Sequence, residues 1–176
     1  GRRPVFEGKA SELHARIFFA EENPLVTPQL LSAFALKGTC QTKNLNTILN
    51  AIRALSEHCG IGERPKTSSA ALSSVVSLSG LRGRWEVIQQ QPLVICDTGH
   101  NLAAWEYLAE GIRTTAERCG GRLHIVFGMV DDKDVNAVLD LLPHDAIYYF
   151  TQADTHRAIP SEKLLSLATS RHLQGE

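Results

Sequence analysis

"PLVICDTGHNLAAWEYLAEGIRTTAERCGGRLHIVFGM", residues Pro92 to Met129, decides the fold. It opens on four apolar residues in a row, Leu93 to Cys96, and closes on a second apolar run, "LHIVFGM". Between them Trp105, Leu108, Ala109, Ile112 and Ala116 recur at the 3.6-residue period of a helix, which is predicted over Leu102 to Arg118. Two strands that are apolar along their whole length, joined by a helix, predict parallel pairing in a sheet covered by helices. The crossover between them is expected to be right-handed.

The alternation continues downstream. A helix carrying Val135, Val138, Leu139 and Leu142 is followed by the strand "AIYYFT" and by a helix carrying Leu164, Leu165 and Ala168. The expected fold class is therefore α/β, a mostly parallel sheet with helices on both faces. Three strands make a small sheet, so part of this domain is expected beyond Glu176.

The first half reads differently. "RPVFEGKASELHARIFFAEE" predicts an amphipathic helix running into a short strand, Ile17 to Ala20, and a second short strand is expected over Phe34 to Leu36. Leu45, Ile48, Leu49, Ile52 and Leu55 then share one helical face. After the turn-rich "GIGERPKTSS", Thr67 or Ser68 is suited to cap a helix that runs to Leu78 and is stopped by Gly80. The main boundary is placed between Leu78 and Arg84, giving one region over 1–79 and a second over 80–176.

Composition narrows the function. Eighteen lysines and arginines nearly balance 19 acidic residues, with no long run of like charge, so nucleic acid is not an expected partner. No apolar stretch approaches the roughly 20 residues of a membrane span, and "GRRPVFEGKA" lacks the apolar centre of a signal peptide, which predicts a cytoplasmic protein. The four cysteines, Cys40, Cys59, Cys96 and Cys119, form no Cys-x-x-Cys pair and are expected to be reduced packing residues.

In an open parallel sheet, ligands bind beyond the carboxyl ends of the strands, where helix amino termini converge. That rule selects three loops: "DTGHN", "GMVDDKD" and "TQADTHRA". They carry Asp97, His100 and Asn101; Asp131, Asp132, Lys133 and Asp134; and His156 with Arg157. Helix capping accounts for Asn101 and for the aspartates before Val135 without any function. Asp97 and His100, three residues apart across a glycine, are placed to face one another, with the carboxylate orienting the imidazole or holding a ligand hydroxyl. The pair can also donate two metal ligands, but no third His or Cys lies at a telling distance. Arg84, between glycines in "GLRGRW", is either a surface arginine in a hinge or a group that grips phosphate through two hydrogen bonds. The glycine-rich phosphate-binding signatures are absent.

Three segments carry a resemblance: "GTCQTKNLNTILNAI", "LSGLRGRWEVIQQQPLVICDTGHN" and "HIVFGMVDDKDVNAVLDLLP". In order and spacing they resemble the folylpolyglutamate synthase and dihydrofolate synthase family of the Mur ligase superfamily. The resemblance implies the tail of a central ATPase domain over the first region and a Rossmann-like carboxy-terminal domain over the second. It places the phosphate loop and the Mg2+ ligands upstream, outside this chain, and a final strand with a Gly-Ser step downstream. It also implies an enzyme, monomeric at full length, that uses ATP to activate the carboxylate of folate or dihydropteroate for attack by L-glutamate, with the carboxy-terminal domain closing over the ATPase domain. No metal ligand is expected in the chain itself.

Residue by residue, the resemblance implies that Asn44 contacts adenine, that Arg84 and Asp97 contact ATP, and that His100 serves glutamate binding and turnover. Lys133 and Arg157 have the charge to hold a dicarboxylate amino acid. Thr98, Gly99 and Leu102 depart from the usual pattern, and Thr98-Gly99 is expected to loosen the loop. Two other readings stay open: a Mur-type ligase of cell-wall precursors, and a stand-alone nucleotide-binding or interaction module.

Overall fold

The computed structural model describes residues 2–38, 40–60, 70–131 and 133–176. The chain divides into two compact units, Gly1–Ala35 with Gln41–Gly80, and Leu36–Cys40 with Leu81–Glu176.

The first unit is helical. Helix α1, Arg3–Glu12, has Pro4 in its first turn, where the fixed φ suits it, yet it buries no residue: Val5 and Phe6 are exposed. Helix α2 is Pro28–Ala33, with Thr27 Oγ1 accepting the N–H of Leu30 as its cap. Helix α3, Gln41–Cys59, is the long element the periodicity predicts. Its inward face is narrower than expected, because Leu45 is fully buried while Ile48 and Leu55 are exposed. Amides supplement that face. Asn46 accepts from the N–H of Leu25 and donates to the carbonyl of Ala20, and Asn50 donates to the carbonyl of Asn23.

These bonds explain why Ile17 to Ala20 forms no strand. The segment ends in a 3-10 turn, Ala20–Glu22, and the carbonyl of Ala20 accepts from Asn46 of α3 rather than from a ladder. Phe34 to Leu36 is likewise not a strand; Ala35 donates a single backbone bond to Leu72. Helix α4, Val75–Ser79, ends at Gly80, which adopts φ +67° as a left-handed cap. The caps expected at Thr67 or Ser68 lie outside the described residues.

The second unit contains two sheets. Strands β1, Glu86–Gln90, and β2, Leu93–Cys96, form an antiparallel hairpin. Helix α5, Leu102–Cys119, leads to β3, His124–Phe127; helix α6, Val135–Leu139, precedes β4, Ile147–Phe150; helix α7, Ser161–Thr169, precedes β5, Gln174–Gly175. The three later strands pair in parallel in the order β3-β4-β5. The α/β class with a parallel sheet is therefore as expected, with a different membership. "PLVIC" belongs to the hairpin rather than to the parallel sheet, and it is half-buried on alternate residues instead of buried throughout. The third parallel strand is β5, which no apolar run announces.

The core of this unit lies on one face of the parallel sheet. Phe127, Tyr148 and Phe150 meet Val138 and Leu139 of α6 and Leu164 and Ala168 of α7, all buried. Tyr148 donates its hydroxyl to the carbonyl of Pro143 at 2.7 Å, so the one polar atom of this ring is satisfied. Gly175 is required where β5 crosses Tyr148, since a Cβ there would lie 2.4 Å from the Tyr148 carbonyl oxygen. Cys59, Cys96 and Cys119 are exposed thiols, so they are not the packing residues expected. Among the described residues no helix is long and apolar enough to cross a membrane.

Candidate functional site

Helix α5 links the hairpin to the parallel sheet. Trp85 precedes β1 with φ +50°, and its indole covers Gly111 of α5 so closely that a Cβ there would lie 2.7 Å from the ring. A glycine inside a helix ordinarily costs about 1 kcal/mol relative to alanine; here it makes room for the indole. One turn into α5, Trp105 meets Phe127 edge-on at 5.5 Å. Phe127 is the last residue of β3, so the amino terminus of α5 stands at the carboxyl edge of the parallel sheet.

The "DTGHN" loop sits at that terminus. Asn101 caps α5, its side chain accepting the N–H of Ala104 at 2.9 Å. Asp97 accepts the N–H of Trp85 at 2.6 Å on one carboxylate oxygen and that of Gly99 at 2.8 Å on the other. The expected Asp97–His100 pairing is absent. The imidazole Nδ1 of His100 instead meets the carbonyl of Thr98 at 3.1 Å, and the ring is exposed. A carbonyl only accepts, so Nδ1 is the protonated nitrogen in this contact, which leaves Nε2 as the ring's other site.

Arg84 is exposed on the turn ahead of β1. Its Nη1 donates to the carbonyl of Gly83 at 3.1 Å and to the hydroxyl of Thr98. Thr98 also donates to Gly83 through its N–H at 3.0 Å and its hydroxyl at 3.1 Å. Thr98 and Gly99 are thus fastened, not loose as the unusual sequence suggests. Gly83 has φ +66°, and a Cβ there would lie 2.6 Å from the methyl of Thr98. Glu86 accepts the N–H of Gly83 at 2.8 Å and pairs with Arg82 at 2.5 Å; the backbone bond first, then the arginine, holds its carboxyl below the usual range.

The other two loops are stitched together. Val130 and Ala158 form an antiparallel bridge, Asp131 donates its N–H to Arg157 at 2.8 Å, and Ile159 donates to Met129 at 2.9 Å. Lys133 is half-buried and Arg157 exposed on these strips of backbone. Asp134 caps α6 by accepting from Ala137 at 3.0 Å, as capping chemistry predicts; Asp132 lies outside the described residues.

Asn44 belongs to the first unit, exposed in the first turn of α3, where its amide donates to Gln41 at 3.1 Å. Sequence reasoning missed Trp85 and Thr98 as the residues that fix this loop. The signal for Trp85 was an aromatic residue directly after Gly-Arg, with a glycine at an inward position of the next helix.

A parallel sheet with charged loops on its carboxyl edge and a capped helix at the first of them defines an α/β domain, and the comparisons specify it. The family model for "Mur ligase, glutamate ligase domain" matches residues 83–175. The chain belongs to the Mur ligase family, in its folylpolyglutamate synthase and dihydrofolate synthase branch. It is 30% identical over 123 residues to the dihydrofolate synthase/folylpolyglutamate synthase of Escherichia coli, covering 69% of this chain and 27% of that protein. Its counterpart in Buchnera aphidicola subsp. Baizongia pistaciae is 25% identical over 132 residues, covering 74% of this chain and 29% of that protein. The structure of E. coli FolC in complex with DHPP and ADP superposes with a TM-score of 0.62 at 28% identity, over 76% of this chain and 29% of that one. The chain thus spans less than a third of the length of these relatives.

Proposed function

We propose that this chain supplies the glutamate ligase domain of an ATP-dependent carboxylate–amine ligase that adds L-glutamate to folate, a tetrahydrofolylpolyglutamate synthase that also has dihydrofolate synthase activity. The observation that carries the reading is the glutamate ligase match over 83–175, which spans the whole Arg84–Asp97–His100 loop system. The E. coli relative bound to DHPP and ADP supports a folate-type acceptor and ATP as partners.

The chemistry follows from the reactants. A carboxylate lacks a leaving group, so the terminal phosphoryl group of ATP is transferred to a carboxylate oxygen, giving an acyl phosphate and ADP. The glutamate amine, once deprotonated, adds to the acyl carbon. The tetrahedral intermediate collapses to the amide and expels phosphate.

Each residue has a physical role in that sequence. Arg84 presents its guanidinium to phosphate oxygens. Asp97 keeps a second lone pair on each oxygen after its two backbone bonds, so it can still accept a hydroxyl of ATP while it fixes the turn carrying Arg84. His100, an exposed imidazole whose Nδ1 is held by the Thr98 carbonyl, takes a proton from the glutamate ammonium on Nε2. Lys133 and Arg157 complement the carboxylates of glutamate. Asn44 serves the adenine. Magnesium accompanies ATP in this class of reaction; among the described residues no three His, Cys, Asp or Glu side chains gather as a metal site, so no residue here is assigned to it.

The test is incorporation of labelled glutamate by the full-length protein. With ATP and dihydropteroate or tetrahydrofolate, label should enter the acceptor with one ADP and one phosphate released per amide. Incorporation only into a sugar-nucleotide acceptor would overturn the proposal.

A further inference from the structure

We infer that Thr98 is a positioning residue for Arg84, setting which edge of the guanidinium is offered to ATP. The inference rests on the reading of Arg84 as an ATP contact.

The Gly83 carbonyl gathers three donors: Thr98 N at 3.0 Å, Thr98 Oγ1 at 3.1 Å and Arg84 Nη1 at 3.1 Å. Arg84 Nη1 also donates to Thr98 Oγ1. The hydroxyl is therefore directional: its proton points to Gly83, which turns its lone pairs toward the guanidinium. A second constraint fixes that hydroxyl. The Thr98 methyl fills the space on Gly83 that a side chain would occupy, 2.6 Å from an ideal Cβ position, and a β-branched side chain with its methyl seated has its hydroxyl direction decided.

The consequence for Arg84 is orientation. With Nη1 engaged by Gly83 and Thr98, Nε and Nη2 form the remaining edge, the parallel pair of donors that suits two oxygens of one phosphate. An exposed arginine ordinarily samples many rotamers, and holding it in one reduces the ordering that binding must otherwise impose.

The experiment compares Thr98→Val, which keeps the shape and removes the hydroxyl, with Thr98→Ser, which keeps the hydroxyl, in the full-length enzyme. Thr98→Val should raise KM for ATP about tenfold, the lower end of the effect of losing one oriented hydrogen bond to a charged group, with kcat within about twofold. Thr98→Ser, which keeps the hydroxyl but loses the methyl that seats it, should recover KM in part. In an Arg84→Ala background, Thr98→Val should add nothing further. An equal rise in KM with Arg84 already removed, or a Thr98→Ser variant as weak as Thr98→Val, overturns the inference. Should Arg84→Ala itself leave KM for ATP unchanged, the ATP-contact reading fails. Nitrogen relaxation at Arg84 Nε then decides the positioning contact alone: order lost in Thr98→Val supports it, and unchanged order overturns it.

Discussion

The carboxylate of Asp97, at the end of one hairpin strand, holds the backbone N–H of Trp85, at the start of the other, at 2.6 Å. With the second bond to Gly99 at 2.8 Å, this side chain closes the open end of the hairpin, opposite its turn, just where the left-handed Trp85 backbone needs support. Asp97→Ala should destabilise the second unit by about 2 kcal/mol, within the range for hydrogen bonds to a charged acceptor, and Asp97→Asn by roughly half that, because one acceptor survives. Urea titration followed by far-UV circular dichroism measures both.

The contact of Trp85 with Gly111 makes a prediction whose sign depends on context. Gly111→Ala gains about 1 kcal/mol of helix propensity, but its Cβ would lie 2.7 Å from the indole, so the variant should be less stable than the parent. In a Trp85→Ala background the obstruction is gone, and the same change should stabilise. A double-mutant cycle that shows the same sign in both backgrounds would refute the packing role.

Acid should loosen the hairpin through Glu86. Its folded carboxyl titrates below the ordinary value because it accepts the Gly83 N–H and faces Arg82. A depressed folded value means stability that is present above the unfolded value of 4.5 and is lost as pH falls through the folded one. Glu86→Gln should flatten this acid limb by lowering stability in the neutral region while leaving the acid end nearly unchanged, as read from unfolding midpoints across pH 2 to 7, roughly the span over which carboxylates titrate.

At the other end of the scale, burial first and then the charge of Asp145 push the Tyr148 phenol above its ordinary value of 10.0. The stability held by its neutral form is complete below that value and is lost as pH rises toward the folded one. Tyr148→Phe should cost about 1–2 kcal/mol near neutrality, because the buried Pro143 carbonyl loses its donor. It should also remove this group's share of the alkaline loss.

For activity, Arg84→Ala should raise KM for ATP about tenfold or more, and His100→Ala should lower kcat for glutamate addition by about 10²-fold or more while ATP binding persists. Steady-state kinetics with ATP and glutamate varied separately distinguishes the two.

Helices α3 and α5 and strands β3 and β4 were legible because a long period or a dense apolar run leaves few alternatives. Strand β1, "EVIQQ", was not legible, since its two adjacent apolar residues sit among glutamines and its pairing is decided by β2 opposite. Strand β5 is polar and two residues long; its place is set by backbone bonds to Tyr148 and Phe150 and by the close approach of Gly175. The run "LVIC" carried the opposite ambiguity, because unbroken apolarity does not reveal that Val94 faces outward. At the site, spacing misassigned the partners of the loop's side chains. Asp97 and His100 both bond to backbone, and backbone donors and acceptors leave no mark in a sequence.

Trp85 and Trp105 are the chain's two tryptophans, and both are in contact through α5: one rests on Gly111, the other stands on Phe127 at the sheet edge. The molecule therefore contains a pair of intrinsic optical reporters bracketing a single helix. In a Trp85→Phe protein, fluorescence follows the parallel sheet; in a Trp105→Phe protein, it follows the docking of the hairpin. Comparing the two during unfolding tells whether the loop that carries Arg84 lets go before the scaffold behind it.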